Sequence, residues 1–367
     1  MKIAEIIKLL EQLAPPAYAE DYDNVGLLMG NAQAEVTGIL CTLDCIESVV
    51  DEAIKHKCNL IVTHHPIIFK GLKKITGANY VERTVIKAIK NDVAIYAIHT
   101  NLDHVTRGVN SIICEQLGLK NTGILKSKSD GLLKLAVFVP HKNVEEVEQA
   151  MFKAGAGNIG NYSECDFKVE GVGGYKANEY ANPAIGEINK RHTEPETRVE
   201  VILPAHAQHT VVAAMIKAHP YEEVAYDLFA LKNTSPGVGA GMVGELEKPL
   251  GIEEFKGLLK QVFKSGAVRH TRFLGEKIRK IAVCGGSGSF LLKDAIRSGA
   301  DVYITGDFKY HEFFDAENQI VIVDVGHFES EQYTPQLLAD YLKERIQKNS
   351  TFAVRLSEVE TNPVKYF

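Results

Sequence analysis

The sequence predicts an α/β protein with a discontinuous core of two βα-rich halves and an inserted α+β domain. Three observations lead to this fold class. Short β-branched runs alternate with longer helical patterns from residue 38 to about 120, and the alternation returns from about residue 280. A stretch of about 100 residues with a different pattern lies between the two halves. Alternating strands and helices favour a parallel sheet with crossover helices.

The composition is that of a globular chain long enough for two domains. The chain has 367 residues, of which 45% are hydrophobic and 24% are charged, and these values exclude collagen-like, coiled-coil and disordered classes. The net charge of -6 argues against general attraction to nucleic acid or anionic lipid. No apolar run approaches the roughly 20 residues of a membrane helix, so we expect no membrane contact.

The N-terminal pattern and the cysteines predict a cytoplasmic protein. Apolar residues recur at helical spacing with charged residues between them until Pro15 and Pro16, which is typical of an amphipathic surface helix and not of a signal peptide. Six cysteines are scattered without a CxxC pair, which is the usage of a reducing compartment.

Strands and helices are predicted in both halves from hydrophobic periodicity. The first half has helices at about 46–57, 80–91 and 107–118, and strands at Ile39–Leu43, Asn59–Thr63 and Val93–Ile98. The second half has helices near 288–298 and 330–348, and strands at Lys280–Cys284, Asp301–Thr305 and Ile320–Val325.

Two polar, glycine-containing stretches, Lys126–Gly131 and Lys232–Gly241, mark the crossings into the insertion. We therefore expect a core of residues 1–128 and 238–367 and an inserted domain of residues 129–237. Inside the insertion, LAVFVP at 135–140 and VEVILP at 199–204 each precede a helical pattern. Tandem βαβ units suggest a ferredoxin-like module. Residues 171–197 have no clear periodicity.

Candidate ligands follow four of the predicted strands at their carboxyl ends. In a parallel sheet these ends share one edge, so we expect the side chains to converge on one crevice. The strands that end near residues 63, 98, 305 and 325 are followed, respectively, by His64 and His65, by His99 and Asp103, by Asp307 and His311, and by His327 and Glu331.

These residue types indicate a metal site. Imidazole and carboxylate groups bind zinc, iron or manganese, and the absence of cysteine argues against a closed structural zinc site. His327 and Glu331 lie four apart at the start of a helix and would share one face. Adjacent His64 and His65 would each serve one ion. Two ions with a bridging carboxylate are therefore the natural arrangement, able to activate a hydroxide and polarise the bond it attacks.

Other interpretations of these residues stay open. A single histidine after a strand is usually a loop residue with a hydrogen bond, but several at one edge are harder to attribute to chance. Asp307 and His311 could orient ligands, act as general acid or base, or be a helix cap and a surface residue.

Three further motifs are ambiguous. VCGGSGS at 283–289 could cradle an anion at a helix N-terminus or form a tight turn. DNVG at 23–26 is a turn signal whose Asn24 could reach the crevice. HPYEEVAYDL at 219–228 is interpreted as a solvated loop or a subunit contact.

Six motifs together resemble the dinuclear-metal-centre hexameric proteins, often called Nif-three-like and widely named GTP cyclohydrolase I type 2 homologues. The resemblance extends along nearly the whole chain. The motifs are DNVGLLMG at 23–30, THHPIIF at 63–69, HTNLD at 99–103, VCGGSGS at 283–289, TGDFKYHE at 305–312 and VGHFESE at 325–331.

The resemblance implies two divalent ions per subunit, zinc as the first choice and iron or manganese as alternatives. It implies a toroidal homohexamer, which could be a dimer of trimers, with a PII-like or CutA-like insertion to which HPYEEVAYDL is similar. Glu331 is our choice for the bridging carboxylate. The implied metal ligands are His64, His65, Asp103, His327 and Glu331.

The implied activity is that of a divalent-metal-dependent hydrolase. In a GTP cyclohydrolase, a metal-activated hydroxide attacks C8 of guanine and formate is released, with Asp307 and His311 as candidate proton shuttles. The alternatives are two-metal hydrolysis of another nucleotide or phosphoester, and a non-enzymatic metal-binding or regulatory hexamer. Nucleic acid is a weaker option because the chain has no basic stripe interleaved with aromatic residues.

Overall fold

The chain folds as two units, which we call the core unit and the inserted unit. A computed structural model describes residues 1–129, 131–235, 237–346 and 351–367. The core unit comprises Met1–Lys126 and Val238–Phe367, and the inserted unit comprises Ser127–Gly237. The expected boundaries, at residues 128 and 238, lie close to these junctions. Both ends of the chain therefore contribute to the core unit.

The first part of the core unit alternates strands and helices after an amphipathic helix, Ile3–Leu13 (α1). This helix buries Ile3, Ile6 and Leu10 along one face, and the chain then meets Pro15, whose fixed φ and missing N–H disfavour a further turn. The elements that follow are β1 Gly26–Met29, β2 Ile39–Thr42, α2 Glu47–Lys55, β3 Leu60–Thr63, α3 Tyr80–Lys90, β4 Ala94–Ala97, α4 Thr100–Asp103, α5 Val109–Gln116 and β5 Leu119–Ser127.

The inserted unit has the element order β-α-β-β-α-β, which is that of the ferredoxin-like motif. Its four strands pair antiparallel, and across the sheet they lie in the order second, third, first and fourth strand of the unit. Residues 171–197, which showed no periodicity, include the ends of two long paired strands. The elements are β6 Leu132–Pro140, α6 Val144–Lys153, β7 Asp166–Lys176, β8 Arg191–Pro204, α7 Gln208–Ala218 and β9 Tyr226–Ala230.

In the second part of the core unit, two helices are observed where a single helix was predicted at 330–348. A short helix ends at Glu331, and the next helix begins at Thr334 with Pro335 in its first turn. Proline has no N–H to bond the preceding turn, so it starts a new helix here. Residues 347 and 348 lie outside the described residues. The elements are β10 Gly239–Gly251, α8 Ile252–Phe263, β11 Arg269–His270, β12 Lys277–Ser287, α9 Leu292–Arg297, β13 Val302–Gly306, β14 Val321–Asp324, α10 His327–Glu331, α11 Thr334–Arg345 and β15 Val354–Leu356.

The core unit contains two sheets, not the single sheet expected to carry all the candidate ligands. One sheet has the order β1-β4-β3-β2-β15, and the other has the order β11-β14-β13-β12-β10-β5. β2, β3 and β4 are parallel to one another, as are β12, β13 and β14. The single-sheet expectation was therefore wrong. Hydrophobic runs predict such strands but do not reveal which of the strands pair with one another.

The central strands are buried on both faces, which explains their continuous apolar sequence. In β3, Leu60 and Val62 belong to a core that both sheets share, where they join residues such as Ile281 of β12. Ile61 faces the opposite side and packs with residues of α2 and α3. Each such aliphatic side chain contributes about 1.5–3 kcal/mol by leaving water, so the shared core is the main restraint on how the sheets face each other.

Five of the six cysteines are buried and the sixth, Cys165, is partly buried; none forms a disulfide. Burial, with nearby charges, raises the pKa of Cys41 and of Cys45 to about 12. Such thiols stay protonated and behave as small apolar residues. Among the described helices, none has both the length and the apolar character needed to cross a bilayer.

Loss of the hydroxyl group should change the free energy of unfolding differently at two buried tyrosines on central strands. The Tyr96 hydroxyl has no hydrogen-bond partner among the described residues, whereas the Tyr303 hydroxyl donates to Gly288 O at 2.7 Å. We expect Tyr96→Phe to keep or raise the free energy of unfolding, by up to about 1 kcal/mol, and Tyr303→Phe to lower it by about 1–2 kcal/mol. Urea unfolding measures both, and equal losses would contradict the difference in their partners.

Candidate metal centre

The structure brings the five predicted ligands together at the carboxyl ends of strands from both sheets of the core unit. His64 and His65 directly follow β3, and Asp103 ends α4, the short helix after β4. His327 begins α10 and Glu331 ends it, directly after β14. The strand-end rule therefore describes where these residues lie, although two sheet edges take part instead of one.

The Glu331 carboxylate joins two groups of side chains. Its Oε1 lies 3.7 Å from His64 Nε2, which in turn lies 3.7 Å from Asp103 Oδ1. Its Oε2 lies 3.0 Å from His65 Nε2 and 3.2 Å from His327 Nε2. We call His64, Asp103 and Glu331 the inner cluster, and His65, His327 and Glu331 the outer cluster. In each cluster the potential ligand atoms lie within 4.8 Å of one another.

His99, a candidate at the end of its strand but not one of the five implied ligands, completes a third group. One nitrogen each of His64, His65 and His99 lie within 4.8 Å of one another. His99 begins the HTNLD motif just after β4, so it obeys the same strand-end rule as Asp103. Its omission came from choosing one ligand for that strand where the fold presents two.

Carboxylates hold the rings of the outer cluster. His65 Nδ1 lies 2.7 Å from Asp44 Oδ1, and His327 Nδ1 lies 2.7 Å from Asp307 Oδ2. An ionised carboxylate only accepts hydrogen bonds, so each Nδ1 carries the proton. In the neutral ring, Nε2 then presents a lone pair towards Glu331. This is the arrangement by which carboxylates orient metal-binding histidines.

The other two histidines are oriented in the same way. His64 Nδ1 donates to Ile98 O at 2.8 Å, and His99 Nδ1 donates to Asp23 Oδ1 at 2.9 Å. The other oxygen of Asp23 accepts a hydrogen bond from the backbone N–H of Thr100 at 3.0 Å. In the DNVG motif it is therefore Asp23, and not Asn24, that reaches the site.

Of the three roles left open for Asp307, its contact matches that of an orienting carboxylate. Asp307 directly follows β13 and has a φ of 60°, in the left-handed region, and its carboxylate accepts from His327. His311 lies exposed on the 3-10 helix Tyr310–Ala316, with its ring centroid 5.2 Å from that of Tyr310. The contacts of the described residues do not connect His311 with the clusters.

Neighbouring carboxylates keep the outer histidines protonated when no cation is bound. Burial alone would lower the pKa of His327, but Asp307 and Glu331 raise it to about 11. Asp44 and Glu331 likewise outweigh burial and raise the pKa of His65 to about 9. A metal ion would have to displace these protons, so its binding would strengthen as the pH rises.

The site shifts the pKa values of its two acids, Glu331 and Asp103, in opposite directions. Burial alone would raise the pKa of Glu331, but hydrogen bonds with three surrounding histidines outweigh it and hold that pKa well below its usual value. Burial, with the nearby charge of Glu331, raises the pKa of Asp103 to about 7. Glu331 is thus the anionic centre, and at Asp103 burial and the charge of Glu331 outweigh the opposite effect of His99 and His65 on the pKa.

The donor set fits divalent cations. His64 Nε2 and Asp103 Oδ1 are buried and have no hydrogen-bond partner among the described residues. His65 Nε2 and His327 Nε2 lie only 3.3 Å apart, an unfavourable approach for two lone pairs. Buried acceptors that face one another need protons or cations between them. Nitrogen and oxygen donors without thiolate suit zinc, iron or manganese.

Glycines of the VCGGSGS motif let β12 approach Glu331. The N–H of Gly285 donates to Asn110 Oδ1 at 3.0 Å, and that of Gly286 donates to Ser330 Oγ at 2.9 Å. Both donors are thus engaged, and the two glycines belong to β12, so the anion-cradle interpretation does not describe them. A Cβ at Gly286 would overlap Glu331 Oε1.

A pocket of about 590 Å³ opens beside the outer cluster. His65, His99, His327 and Asp307 line it, and the exposed aromatic ring of Phe69 forms part of its wall. A structural metal site is usually closed by protein ligands, whereas a catalytic site keeps an open side. This site has an open side large enough for a small molecule.

The segment from Ser357 onward also contributes to the pocket, and the sequence analysis did not include it. Thr361 Oγ1 donates to Asp44 Oδ2 at 2.6 Å, so the carboxylate that holds His65 is itself held. Asn362 Nδ2 donates to Glu329 Oε1 at 3.2 Å. The two acids of this segment, Glu358 and Glu360, do not follow a predicted strand, so the strand-end rule did not mark it.

A glycine substitution should test how closely β12 packs on Glu331. We expect Gly286→Ala to lower the free energy of unfolding by about 2–4 kcal/mol, because the methyl group overlaps Glu331 and the φ of +64° is unfavourable. Gly299→Ala is the matched control, since its φ is +72° but its Cβ would meet nothing within 4 Å. Its expected cost is about 1 kcal/mol. Equal losses in urea unfolding would contradict the overlap.

Sequence comparisons give the family. Residues 1–363 match the family described as Duf34/NIF3 (NGG1p interacting factor 3). A Bacillus subtilis relative named GTP cyclohydrolase 1 type 2 homolog is 39% identical over 369 residues, which cover 99% of this chain and 98% of that protein. A relative of the same name from Halalkalibacterium halodurans is 41% identical over 353 residues, which cover 95% of this chain and 94% of that protein.

Solved structures give the same fold. The crystal structure of a Bacillus cereus protein related to NIF3 has a TM-score of 0.88 at 39% identity and covers 100% of this chain and 99% of that chain. The Staphylococcus aureus protein SA1388 has a TM-score of 0.78 at 31% identity, with the same coverage. The resemblance inferred from the six motifs is therefore confirmed, and this chain belongs to the DUF34/NIF3 family.

Proposed function

We propose that this protein is a hydrolase that depends on two divalent metal ions held by its core unit. One observation carries the proposal: the two oxygens of the buried Glu331 carboxylate face two different sets of nitrogen and oxygen donors. A bridging carboxylate between two ions has this geometry. The open pocket beside the outer cluster gives a substrate access to such a pair.

The five predicted residues would hold the ions. His64, Asp103 and one oxygen of Glu331 would hold the first ion, and His65, His327 and the other oxygen would hold the second. When bound, such ions would supply Lewis-acid chemistry, which activates water and polarises the bond to be hydrolysed. Zinc is the first choice, and iron and manganese suit the same donors.

GTP ring opening with release of formate is the reaction that we propose to test first. It is supported by the name that the curated relatives share, GTP cyclohydrolase 1 type 2 homolog. The pocket volume of about 590 Å³ falls in the range of small-molecule sites. Phe69, whose ring centroid lies 6.4 Å from that of His99, offers an aromatic surface to a planar base.

Proton transfer needs a group in addition to the metal ligands. Asp307 fixes the proton of His327 on Nδ1, so its proposed role is to keep that ring in one orientation and one tautomer. His311 remains the other candidate for the shuttle because of its place in the TGDFKYHE motif. It lies exposed, where it could exchange protons with solvent.

Assembly and compartment belong to the same proposal. Family membership supports a homohexamer, with the inserted unit, which resembles PII-like or CutA-like domains, contributing to trimer contacts. Six cysteines without a disulfide support a reducing, cytoplasmic location.

Metal content gives the first test. We expect two ions per chain after zinc loading and dialysis, measured by elemental analysis. Glu331→Gln should reduce the content below one ion, because both clusters lose a charged ligand, whereas Asp103→Asn should affect mainly the inner ion. Glu329→Gln is the matched control, a buried carboxylate on the same short helix that binds Asn362 instead. Equal retention in Glu331→Gln and Glu329→Gln would contradict the proposed bridge.

Formate release gives the second test. Protein loaded with zinc, manganese or iron should release formate from GTP, measured with formate dehydrogenase. His64→Ala should abolish turnover, and His311→Ala should lower kcat by about 10²–10⁴-fold if His311 transfers the proton. Two bound ions without formate would exclude the cyclohydrolase reaction. A screen of phosphoesters and other nucleotides would then distinguish another hydrolase from a non-enzymatic metal-binding scaffold.

A further inference from the structure

A second cavity, of about 990 Å³, lies within the inserted unit. Its floor is the face of the sheet where Gly171 and Gly173 of β7 lie beside Glu196 and Arg198 of β8. The two glycines leave this part of the sheet without side chains. A Cβ at Gly173 would overlap the Glu196 carboxylate, so the glycine makes room for that acid.

Part of the HPYEEVAYDL motif lines this cavity, and several of its residues are exposed, as the solvated-loop interpretation expects. His219 is buried, and its Nε2 lies 3.0 Å from Phe138 O. Tyr221 and Glu222 line the cavity. Glu222 Oε1 accepts a hydrogen bond from the N–H of Asn182 at 2.7 Å, which links this wall to the opposite loop.

Glu196 is a buried acid with spare bonding capacity. Its side chain lines the cavity although the residue is only 8% exposed. Tyr221 donates to its Oε1 at 3.0 Å, and the described residues of this unit supply no hydrogen bond to its Oε2. A buried carboxylate is costly unless hydrogen bonds or a positive charge compensate it. Its Oε2 is not enclosed by protein, so it can accept a hydrogen bond from a cationic donor in the cavity.

Arg198 lies two residues further along the same face of β8 and has a hydrogen-bond donor without an acceptor. Its Nε is buried without a partner among the described residues, while another guanidinium nitrogen pairs with Glu200 at 2.8 Å. The guanidinium lies 6.0 Å from the ring of Phe138, another cavity residue. A buried N–H without an acceptor also costs free energy. The side chain as a whole is 42% exposed, so the rest of the guanidinium is open to an anionic oxygen in the cavity.

We propose that this cavity binds a free amino acid with a basic side chain. The α-ammonium group would satisfy Glu196, and the carboxylate would satisfy Arg198. Residues two apart on a strand are about 6.6 Å apart, a separation that an α-amino acid with a hydrogen bond at each end can bridge. The charged residues of the lining are four glutamates, one lysine and one arginine, so its net charge favours a cationic ligand.

Calorimetric titration of the full chain with L-lysine tests the proposal. Two analogues of L-lysine test the two proposed contacts separately. Cadaverine lacks the carboxylate, and 6-aminohexanoate lacks the α-ammonium group. We expect saturable binding of L-lysine that weakens about tenfold or more in Glu196→Gln and in Arg198→Gln. Cadaverine should bind more weakly and should not respond to Arg198→Gln. Glu187→Gln, which removes an exposed acid that pairs with Lys190, should leave binding unchanged.

A cavity-filling variant provides a second test of binding if the charge variants do not fold. A Cβ at Gly171 meets nothing within 4 Å, so Gly171→Leu should fill the floor of the cavity and abolish binding without lowering the unfolding temperature. Lack of saturation at millimolar L-lysine would overturn the proposal. So would equal affinity in the Glu196→Gln and Glu187→Gln variants, or tighter binding of cadaverine than of L-lysine. The test does not depend on activity at the metal centre.

Discussion

The buried carboxylate of Glu331 is the constraint on which the arrangement of the core unit depends. It lies among three histidine rings and near a second acid, Asp103, with only 3% of its side chain exposed. An isolated buried charge costs several kcal/mol, so positive charge must accumulate around it. Protons on His65 and His327 supply that charge in the absence of metal, and divalent ions would supply it more completely.

Sequence reasoning located this site because chemistry-bearing residues follow short apolar strands. The runs that end at Thr63 and Ala97 are continuous and largely apolar, so both the strands and the positions of the residues that follow them could be predicted. The pairing of these strands within sheets could not be predicted from the sequence. Pairing depends on which apolar faces meet in three dimensions, and strands of two sheets that share one core have the same local pattern as strands of a single sheet.

The residues that hold the ligands were harder to predict than the ligands themselves. Asp23, Asp44 and Thr361 lie in loops, where such residues usually form turns or face solvent. Only the folded chain shows that Asp44 accepts from His65 through one oxygen and from Thr361 through the other. Likewise, the sequence near 171–176 has no periodicity because its glycines form the floor of a cavity instead of facing a core.

The separation of the ligands along the chain has a consequence for biosynthesis. His65 and Glu331 are 266 residues apart, and Thr361, which holds Asp44, comes later still. A ribosome makes His64, His65 and Asp103 long before the acid that joins them exists. The nascent polypeptide cannot bring these side chains together in the native geometry, so any metal ions that they hold would have to enter after translation.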